Sequence, residues 1–379
     1  MIKHVGLDGY ANILIDEFGN AFKQDYDKIT KLGCGLKSIK NGTRLFAIDS
    51  RDNVCEIASD GKLNIMDYKA KKIIYDGHDY VLVVQSDDSV IGLRRHSKDV
   101  VIRQKFKRIV SFDGNSFMLG GMSGRMYCWG ENSNGVLGVG DDNKRKFPVL
   151  HDFSFKNVKL RSCYAFGLND ENEAYSWGTN ELGCMGLLDV RFSYRPVKMG
   201  HRFKRLICDY YQSFAFDMHD NIWCWGNNHW GQFGIGDNIS SNVPIVTNHK
   251  FEKIYVAGST VFAIAHNHDT YAWGCNGDGE LAFCVGRMAS NNMKSMSFNI
   301  PVKLKYKFNS IKLGIVSNIA VDVYNDIYSW RNYNCDKQPP VRVGKQMIHE
   351  LTLNLKNKLF AKLIRLNQRL MYDVILQYN

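Results

Sequence analysis

The stretch WGENSNGVLGVGD, from Trp129 to Asp141, contains the spacing that decides the fold. It begins with Trp-Gly and continues with Asn at +3, Gly at +6 and Gly at +9. Further Trp-Gly pairs follow at steps of 48 residues, and a last tryptophan lies 57 residues beyond them, followed by Arg331. A fixed period of this length indicates a solenoid, a propeller or a repeat array. The repeated positions are Trp129 and Gly130, Trp177 and Gly178, Trp225 and Gly226, Trp273 and Gly274, and Trp330.

Each repeat also carries a hairpin pattern ahead of its tryptophan. Two short runs of alternating apolar residues flank a position five residues before the tryptophan, which predicts a β-hairpin. That turn position holds residue types that tolerate positive φ: Gly124, Asn172, Asp220, His268 and Asn325. A proline 19 residues after three of the tryptophans suits an edge or first strand position, where a missing N–H costs no ladder bond.

A small sheet built from such hairpins has two apolar faces that it cannot bury alone. Radial stacking of several sheets covers those faces, so we predict an all-β fold, a β-propeller, over residues 1–343. Seven blades of about 49 residues match the observed period, and eight of about 43 match the shorter spacings near the start. We favour seven blades, with the N-terminal strands completing the last one.

The pattern of Trp-Gly, Asn at +3, Gly-x-x-Gly and a later Pro resembles the regulator of chromosome condensation repeat. The units at Trp129, Trp177 and Trp225 match it closely, whereas Trp330 and the first hundred or so residues match weakly. The resemblance implies a seven-bladed propeller. The founding member of that family is a guanine-nucleotide exchange factor for the small GTPase Ran and binds chromatin, and other relatives are scaffolds or inhibitors. The family's Ala-Gly-x-x-His motif survives here as Ala257 and Gly258.

Composition narrows the class of protein. The 379 residues carry a formal charge of +11 and ten cysteines without a C-x-x-C pair, which is typical of a reducing compartment. No apolar run approaches the roughly 18 residues of a membrane helix, and the first residues do not resemble a signal peptide. We therefore expect a monomer without a transmembrane segment, located in the cytoplasm or the nucleus.

Much of the positive charge is concentrated in residues 94–108, RRHSKDVVIRQKFKR, with seven Arg or Lys against one Asp. Such a patch attracts an acidic protein face, nucleic acid or an anionic membrane. The alternative is a solvated connection between two early blades. If the patch binds, the candidate residues are Arg94, Arg95, Arg103, Lys105, Lys107 and Arg108.

Trp230 is a second candidate for partner binding. It falls in the Asn/Gly loop of the third tryptophan unit, where other copies carry Asn134, Leu182 and Asp278. A large aromatic residue on a loop is a typical interface anchor. The alternative is packing against the neighbouring loop.

Residues 345–379 change period and predict an amphipathic basic helical tail. Leucines recur at helical spacing, neither Pro nor Gly occurs, and six basic residues stand against two acidic ones. The tail has three open interpretations: docking on the propeller, binding a partner helix or groove, or lying on an anionic membrane.

The sequence shows no catalytic constellation, metal site or cofactor motif. Asp141, Asp189 and Asp237 recur at one repeat position and are interpreted as turn caps. The leading hypothesis is therefore a non-catalytic scaffold whose propeller loop face binds an acidic protein partner. Guanine-nucleotide exchange on a Ran-like small GTPase is the alternative, with the insertion at 288–297 as a possible wedge. Chromatin or DNA binding through the basic patch is the third hypothesis.

Overall fold

Thirty β-strands and two three-residue 3₁₀ turns form the regular structure of the described residues in the computed structural model. The structure describes residues 2–8, 11–16, 19–25, 28–41, 45–58, 62–75, 80–94, 100–102, 106, 108–119, 125–277, 279–283, 297–314, 317–331 and 340–342. The predicted tail at 345–379 and the insertion at 288–297 lie outside these ranges.

The strands form four-stranded antiparallel groups, named group 1 to group 8 in chain order. Groups 1 to 4 comprise β1 (Ile2–Asp8), β2 (Ala11–Asp16), β3 (Ala21–Asp25), β4 (Lys28–Gly33); β5 (Leu36–Asn41), β6 (Leu45–Asp49), β7 (Asn53–Ile57), β8 (Leu63–Lys69); β9 (Lys72–Tyr75), β10 (Tyr80–Val84), β11 (Val90–Arg94), β12 (Val100–Ile102); and β13 (Arg108–Phe112), β14 (Asn115–Leu119), β15 (Tyr127–Gly130), β16 (Arg145–Leu150).

Groups 5 to 8 share two long strands that run from one group into the next. Their strands are β17 (Asn157–Leu160), β18 (Tyr164–Leu168), β19 (Glu173–Thr179), β20 (Phe192–Cys208), β21 (Gln212–Asp217), β22 (Ile222–Gly226), β23 (Ser241–Val246), β24 (Lys253–Ala257), β25 (Thr260–Ile264), β26 (Asp269–Cys275), β27 (Ser297–Lys312), β28 (Ser317–Asp322), β29 (Ile327–Arg331) and β30 (Val341–Arg342). β20 pairs with β19 up to Arg202 and with β21 from Phe203, so it is the fourth strand of group 5 and the first of group 6. β27 links groups 7 and 8 in the same way.

The described strands fit eight groups, which was the alternative to the favoured count of seven. Groups 1 to 3 occupy only residues 2–102, because their connections are short, whereas the 48-residue period belongs to the tryptophan units. The expectation that N-terminal strands complete the last sheet is also wrong for the described pairing. β1 pairs with β2 in its own group, and β30 supplies the fourth strand of group 8.

Because consecutive strands pair antiparallel, the connections of each group lie alternately at two opposite ends of the sheet. Connections between the first and second strands and between the third and fourth strands lie at one end, here called the loop end. Connections between the second and third strands, and the links from group to group, lie at the other, called the turn end. The predicted turn residues of four tryptophan units lie at the turn end with φ of 62–65°: Asn172, Asp220, His268 and Asn325.

Seven hydrophobic clusters of described residues lie between consecutive groups, so the groups stack face to face. Phe117 of group 4, for example, packs with Phe155 and Trp177 of group 5. The second strands β14, β18 and β25 are buried along their whole length because neighbouring sheets cover both of their faces. The predicted stacking of small sheets is confirmed.

Candidate protein-binding surface

A phenylalanine lies 22 residues before each of the last four repeat tryptophans, and the two rings form one stacked pair in each of groups 5 to 8. Phe155 stacks on Trp177 with ring centroids 5.4 Å apart, and Phe203 stacks on Trp225 at 5.8 Å. Phe251 with Trp273 and Phe308 with Trp330 repeat the arrangement at 5.6 and 6.2 Å. The 22-residue spacing in sequence therefore brings the start of the first strand beside the third strand, where both rings are buried.

Each indole then ties its group to the loop of the preceding group. Trp177 donates from Nε1 to the carbonyl oxygen of Val136 at 2.7 Å, and Trp225 donates to that of Cys184 at 2.9 Å. Trp273 and Trp330 donate to the carbonyl oxygens of Gln232 and Glu280 in the same way. Every acceptor lies seven residues after the previous tryptophan, so the repeat period makes a ladder of buried bonds across groups 4 to 8.

The asparagine at +3 fixes the shape of each loop. The Oδ1 of Asn228 accepts the N–H of Phe233 at 2.8 Å, and its Nδ2 donates to the carbonyl oxygens of Asp237 and Ile239. Asn132, Asn180 and Asn276 make the corresponding bonds in their own loops. The Oδ1 atoms of Asp141 and Asp237 accept backbone N–H bonds two residues on, so these two recurring aspartates cap turns as predicted.

Two repeated glycines are needed because the loops pass very close to other backbone and ring atoms. Gly226 has φ of +94°, and a Cβ there would lie 2.2 Å from the carbonyl oxygen of Tyr211. Gly234 has φ of +71°, and a Cβ there would lie 2.7 Å from the indole nitrogen of Trp273. Glycine at +1 and +9 thus allows the loop to close onto its own group and onto the next.

At the same end, hydrogen bonds link the turns between the first and second strands of groups 5, 6 and 7. Arg161 donates to the carbonyl oxygen of Cys208, and Tyr164 donates to that of Asp209. Gln212 in turn donates to the carbonyl oxygen of Gly258. Burial raises the pKa of the Asp209 carboxyl despite the Arg161 guanidinium 3.6 Å from its Oδ1. The loop end is therefore a framework of fixed hydrogen bonds.

Exposed apolar side chains are concentrated on this framework. Among the described residues, six large exposed apolar side chains lie in the loop-end connections and two, Met218 and Tyr324, in the turn-end connections, while the other seven lie on outer strands. Because an exposed apolar group on a rigid surface is typical of a binding site, the loop end is the candidate interface. The six are Leu182, Leu188, Tyr210, Tyr211, Ile235 and Ile239.

Of the residues predicted from sequence, Trp230 lies at the loop end. It is half-buried in the loop of group 6, and its backbone N–H donates to the side chain of Gln232. The basic patch is divided: Arg94 ends β11 at the loop end, whereas the exposed Arg108 begins β13 at the turn end. Arg95, Arg103, Lys105 and Lys107 lie outside the described residues.

The exposed apolar set was missed in the sequence analysis. A usable signal existed, since Leu188 and Ile239 are large apolar residues in loops rich in Gly, Asn and Asp. Within the described ranges no group of three or more His, Cys, Asp and Glu side chains is placed to hold a metal ion. No helical segment of those ranges has the length and apolarity that crossing a bilayer requires.

Comparison with known proteins identifies the fold that carries this surface. Residues 123–163 match the regulator of chromosome condensation (RCC1) repeat. Yeast RCC1 (Prp20) bound to Kap60 is similar with a TM-score of 0.56 and 17% identity, over 71% of this chain and 73% of that one. Prp20p from Saccharomyces cerevisiae gives 0.57 and 18% (70% and 75% covered), and human WBSCR16 gives 0.54 and 16% (74% and 83% covered). No curated protein matches the chain at the sequence level. The predicted resemblance is confirmed, and the fold is an RCC1-like β-propeller.

Proposed function

We propose that this RCC1-like β-propeller is a non-catalytic protein-interaction scaffold whose loop end binds a protein partner. The observation that carries the proposal is the concentration of exposed apolar side chains on loops fixed by the asparagine and tryptophan bonds. A surface that is already ordered loses little conformational entropy on binding, and this favours affinity. Trp230, half-buried in the loop of group 6 at the same end, would be an anchor.

The experiment is co-purification from the cells in which the protein occurs. We expect Leu188→Ser with Ile239→Ser to lose a partner that the wild type retains, because both side chains are exposed at the loop end. Met218→Ser with Tyr324→Ser is the matched control, since it removes exposed apolar area at the turn end. Equal retention by both double variants would show that the loop end is not the binding surface.

Exchange on a small GTPase is the second candidate. It is favoured by the shared fold with Prp20p, a protein whose structure was described together with its binding properties to Gsp1p and histones. An exchange factor needs a surface that grips the GTPase, so this function would use the same loop end. The test is nucleotide release from a panel of small GTPases. Faster nucleotide release from one GTPase, lost in the variant with Leu188→Ser and Ile239→Ser, would support exchange. If release is not accelerated for any GTPase, the scaffold function remains the proposal.

Chromatin or DNA binding would instead depend on the basic patch at 94–108. The separation of Arg94 and Arg108 onto opposite ends means that a single flat ligand cannot use both ends of the patch together. A steep loss of DNA affinity with rising salt, reduced by Arg108→Glu, would support this function. Weak binding that no patch substitution changes would exclude it.

A further inference from the structure

We propose that the loop end of groups 4 to 7 takes a basic protein segment that also carries apolar residues. This inference rests on the proposed function and adds the charge and chemistry of the partner. It differs from the expectation of an acidic partner, which came from residues 94–108. The described loop-end residues have the opposite charge to that patch.

Acidic residues outnumber basic ones in the described loop-end connections of groups 4 to 7. Nine acidic residues stand against three basic ones, so the formal charge is three minus nine, or −6, on a chain whose total is +11. The acid excess is therefore local to this end. The acidic residues are Asp113, Glu131, Asp141, Asp142, Glu181, Asp189, Asp209, Asp237 and Glu280, and the basic ones are Lys144, Arg161 and Arg191.

Ion pairs occur at both ends. At the loop end Glu131 pairs with Lys144, Asp141 with Arg145 and Asp209 with Arg161, and at the turn end Lys198 bonds to Glu173 at 2.7 Å and Lys303 to Asp269 at 2.5 Å. The acid excess at the loop end therefore depends mainly on exposed acids outside these pairs, such as Glu181 and Asp189. Complementary charge steers encounter and selects partners, and like charges at an interface disfavour binding. A basic partner is therefore favoured at the loop end and an acidic one is disfavoured.

The centre of the surface adds a specific place for a cationic side chain. Tyr210 and Tyr211 are about half exposed, with ring centroids 6.4 Å apart. Cationic groups are attracted to tyrosine ring faces. Next to the pair, Asp209 is 7% exposed and already faces the Arg161 guanidinium at 3.6 Å. The exposed tyrosine rings, and not this buried carboxyl group, are therefore the place that a Lys or Arg of the partner would occupy.

The apolar side chains define the rest of the partner. Leu188 is 65% exposed and Ile239 is 73% exposed, on the loops of adjacent groups 5 and 6. A purely basic polymer would leave them in water, whereas a segment that alternates basic and apolar residues covers them and meets the acids between them. Nucleic acid fits poorly, because its phosphates would meet the local excess of carboxylates.

The test uses the full chain and two labelled peptides of equal length. One alternates pairs of lysine and leucine, and the other has glutamate in place of lysine. Binding is measured by fluorescence anisotropy at several salt concentrations. The variant is Glu181→Lys with Asp189→Lys at the loop end of group 5. The matched control is Asp170→Lys with Glu171→Lys at the turn end of the same group, which changes net charge equally at exposed residues.

We expect the lysine–leucine peptide to bind the wild type and to bind the loop-end variant about tenfold more weakly. The turn-end control should change its affinity by less than about twofold, apart from the effect of net charge that high salt removes. Equal weakening in both variants would mean attraction to overall charge and would overturn the inference.

Two further outcomes separate this inference from the proposed function. If the glutamate–leucine peptide binds more tightly and loses affinity in Leu188→Ser with Ile239→Ser, the loop end binds protein but the partner is acidic. The inference then fails and the scaffold function stands. If neither peptide responds to the Leu188 and Ile239 substitutions, both fail. Thermal unfolding of every variant shows whether a loss of binding comes from a loss of fold.

Discussion

Groups 1 to 3 and groups 4 to 8 build the same four-stranded meander with different side chains. The first 128 residues contain no tryptophan, and the cluster between groups 1 and 2 consists of residues such as Ile15, Leu36 and Ile57. Between groups 5 and 6 the corresponding cluster contains Phe203 and Trp225. Stacking sheets requires only apolar faces that fit. The aromatic version adds a directional bond from each indole to the preceding loop, which couples consecutive groups.

The loop framework is the functional result of that difference. In groups 5 to 8 each indole fixes a carbonyl of the preceding loop, and the asparagine at +3 fixes the other side of that loop in groups 4 to 7. The exposed Leu188 and Ile239 are thus carried on loops whose backbone is tied down at several points. We therefore expect substitutions of the tryptophans that form these bonds to lower the free energy of unfolding more than substitutions of exposed residues in groups 1 to 3.

The largest expected effect is that of Trp225→Ala. Removal of this fully buried ring leaves a cavity between groups 5 and 6 and leaves the Cys184 carbonyl oxygen without its donor. We expect the free energy of unfolding to fall by about 4 kcal/mol, measured by urea denaturation. Ile65→Ala on the exposed side of β8 should change it by less than about 0.5 kcal/mol. Similar losses in both variants would contradict the comparison.

Low pH should destabilise the interface between groups 4 and 5 through His151. Burial lowers the pKa of this histidine from 6.5 to about 4. Between these values the unfolded chain binds a proton that the folded chain does not, so stability is complete above about pH 6.5 and falls as the pH drops toward 4. The loss is about 3 kcal/mol across the window.

The check is urea denaturation at several pH values for the wild type and for His151→Phe. The variant should lose about 1.4 kcal/mol less per pH unit between pH 6.5 and 4, because the titrating group is gone. Carboxylates titrate in both proteins, so the difference between the two slopes is the quantity to compare. Equal dependence of the free energy of unfolding on pH in both proteins would show that the titration of His151 does not cause the loss of stability.

Gly226→Ala should be more damaging than Gly200→Ala, although both glycines have positive φ. A Cβ at residue 226 meets the carbonyl oxygen of Tyr211, whereas one at residue 200 meets nothing within 4 Å. The second substitution costs only the backbone strain of about 1–2 kcal/mol, and the first should cost at least about 1 kcal/mol more. Thermal unfolding of the two variants measures this. A smaller loss of stability at residue 226 would mean that the loop after Trp225 moves easily away from Tyr211.

The smallest expected effect tests the hydrogen bond of the indole separately from the packing of its ring. Trp177→Phe keeps a ring in the cluster but removes the donor to the carbonyl oxygen of Val136. We expect a loss of about 2 kcal/mol from that unpaired buried acceptor and the smaller ring. Relative to the wild type, amide hydrogen exchange should become faster in the loop of group 4, and it should change less in groups 1 to 3. Unchanged exchange in that loop would show that the bond does not hold it.

The sequence predicted the parts of the fold that depend on local chemistry. Positive φ at Asn172 and Asp220 follows from residue type and position, and both are observed. The alternation around those turns predicted the hairpins, and the fixed period predicted the propeller. The described strands form eight groups instead of the favoured seven, because the 48-residue period belongs to the tryptophan units and groups 1 to 3 have shorter connections. Adjacency in sequence predicts one basic surface over residues 94–108, but strand β12 separates Arg94 from Arg108.

The sequence by itself determined the repeat, the hairpins, the turn conformations and the resemblance to RCC1 repeats, because each depends on spacing and on the intrinsic preferences of Gly, Asn, Pro and Trp. Only the tertiary structure decided which carbonyl each indole binds, and which loop residues stay exposed. It also decided that the loop end gathers acidic residues on a basic chain. These properties come from residues about 40 or more apart in sequence that antiparallel pairing and stacking bring together, as with Trp225 and Cys184.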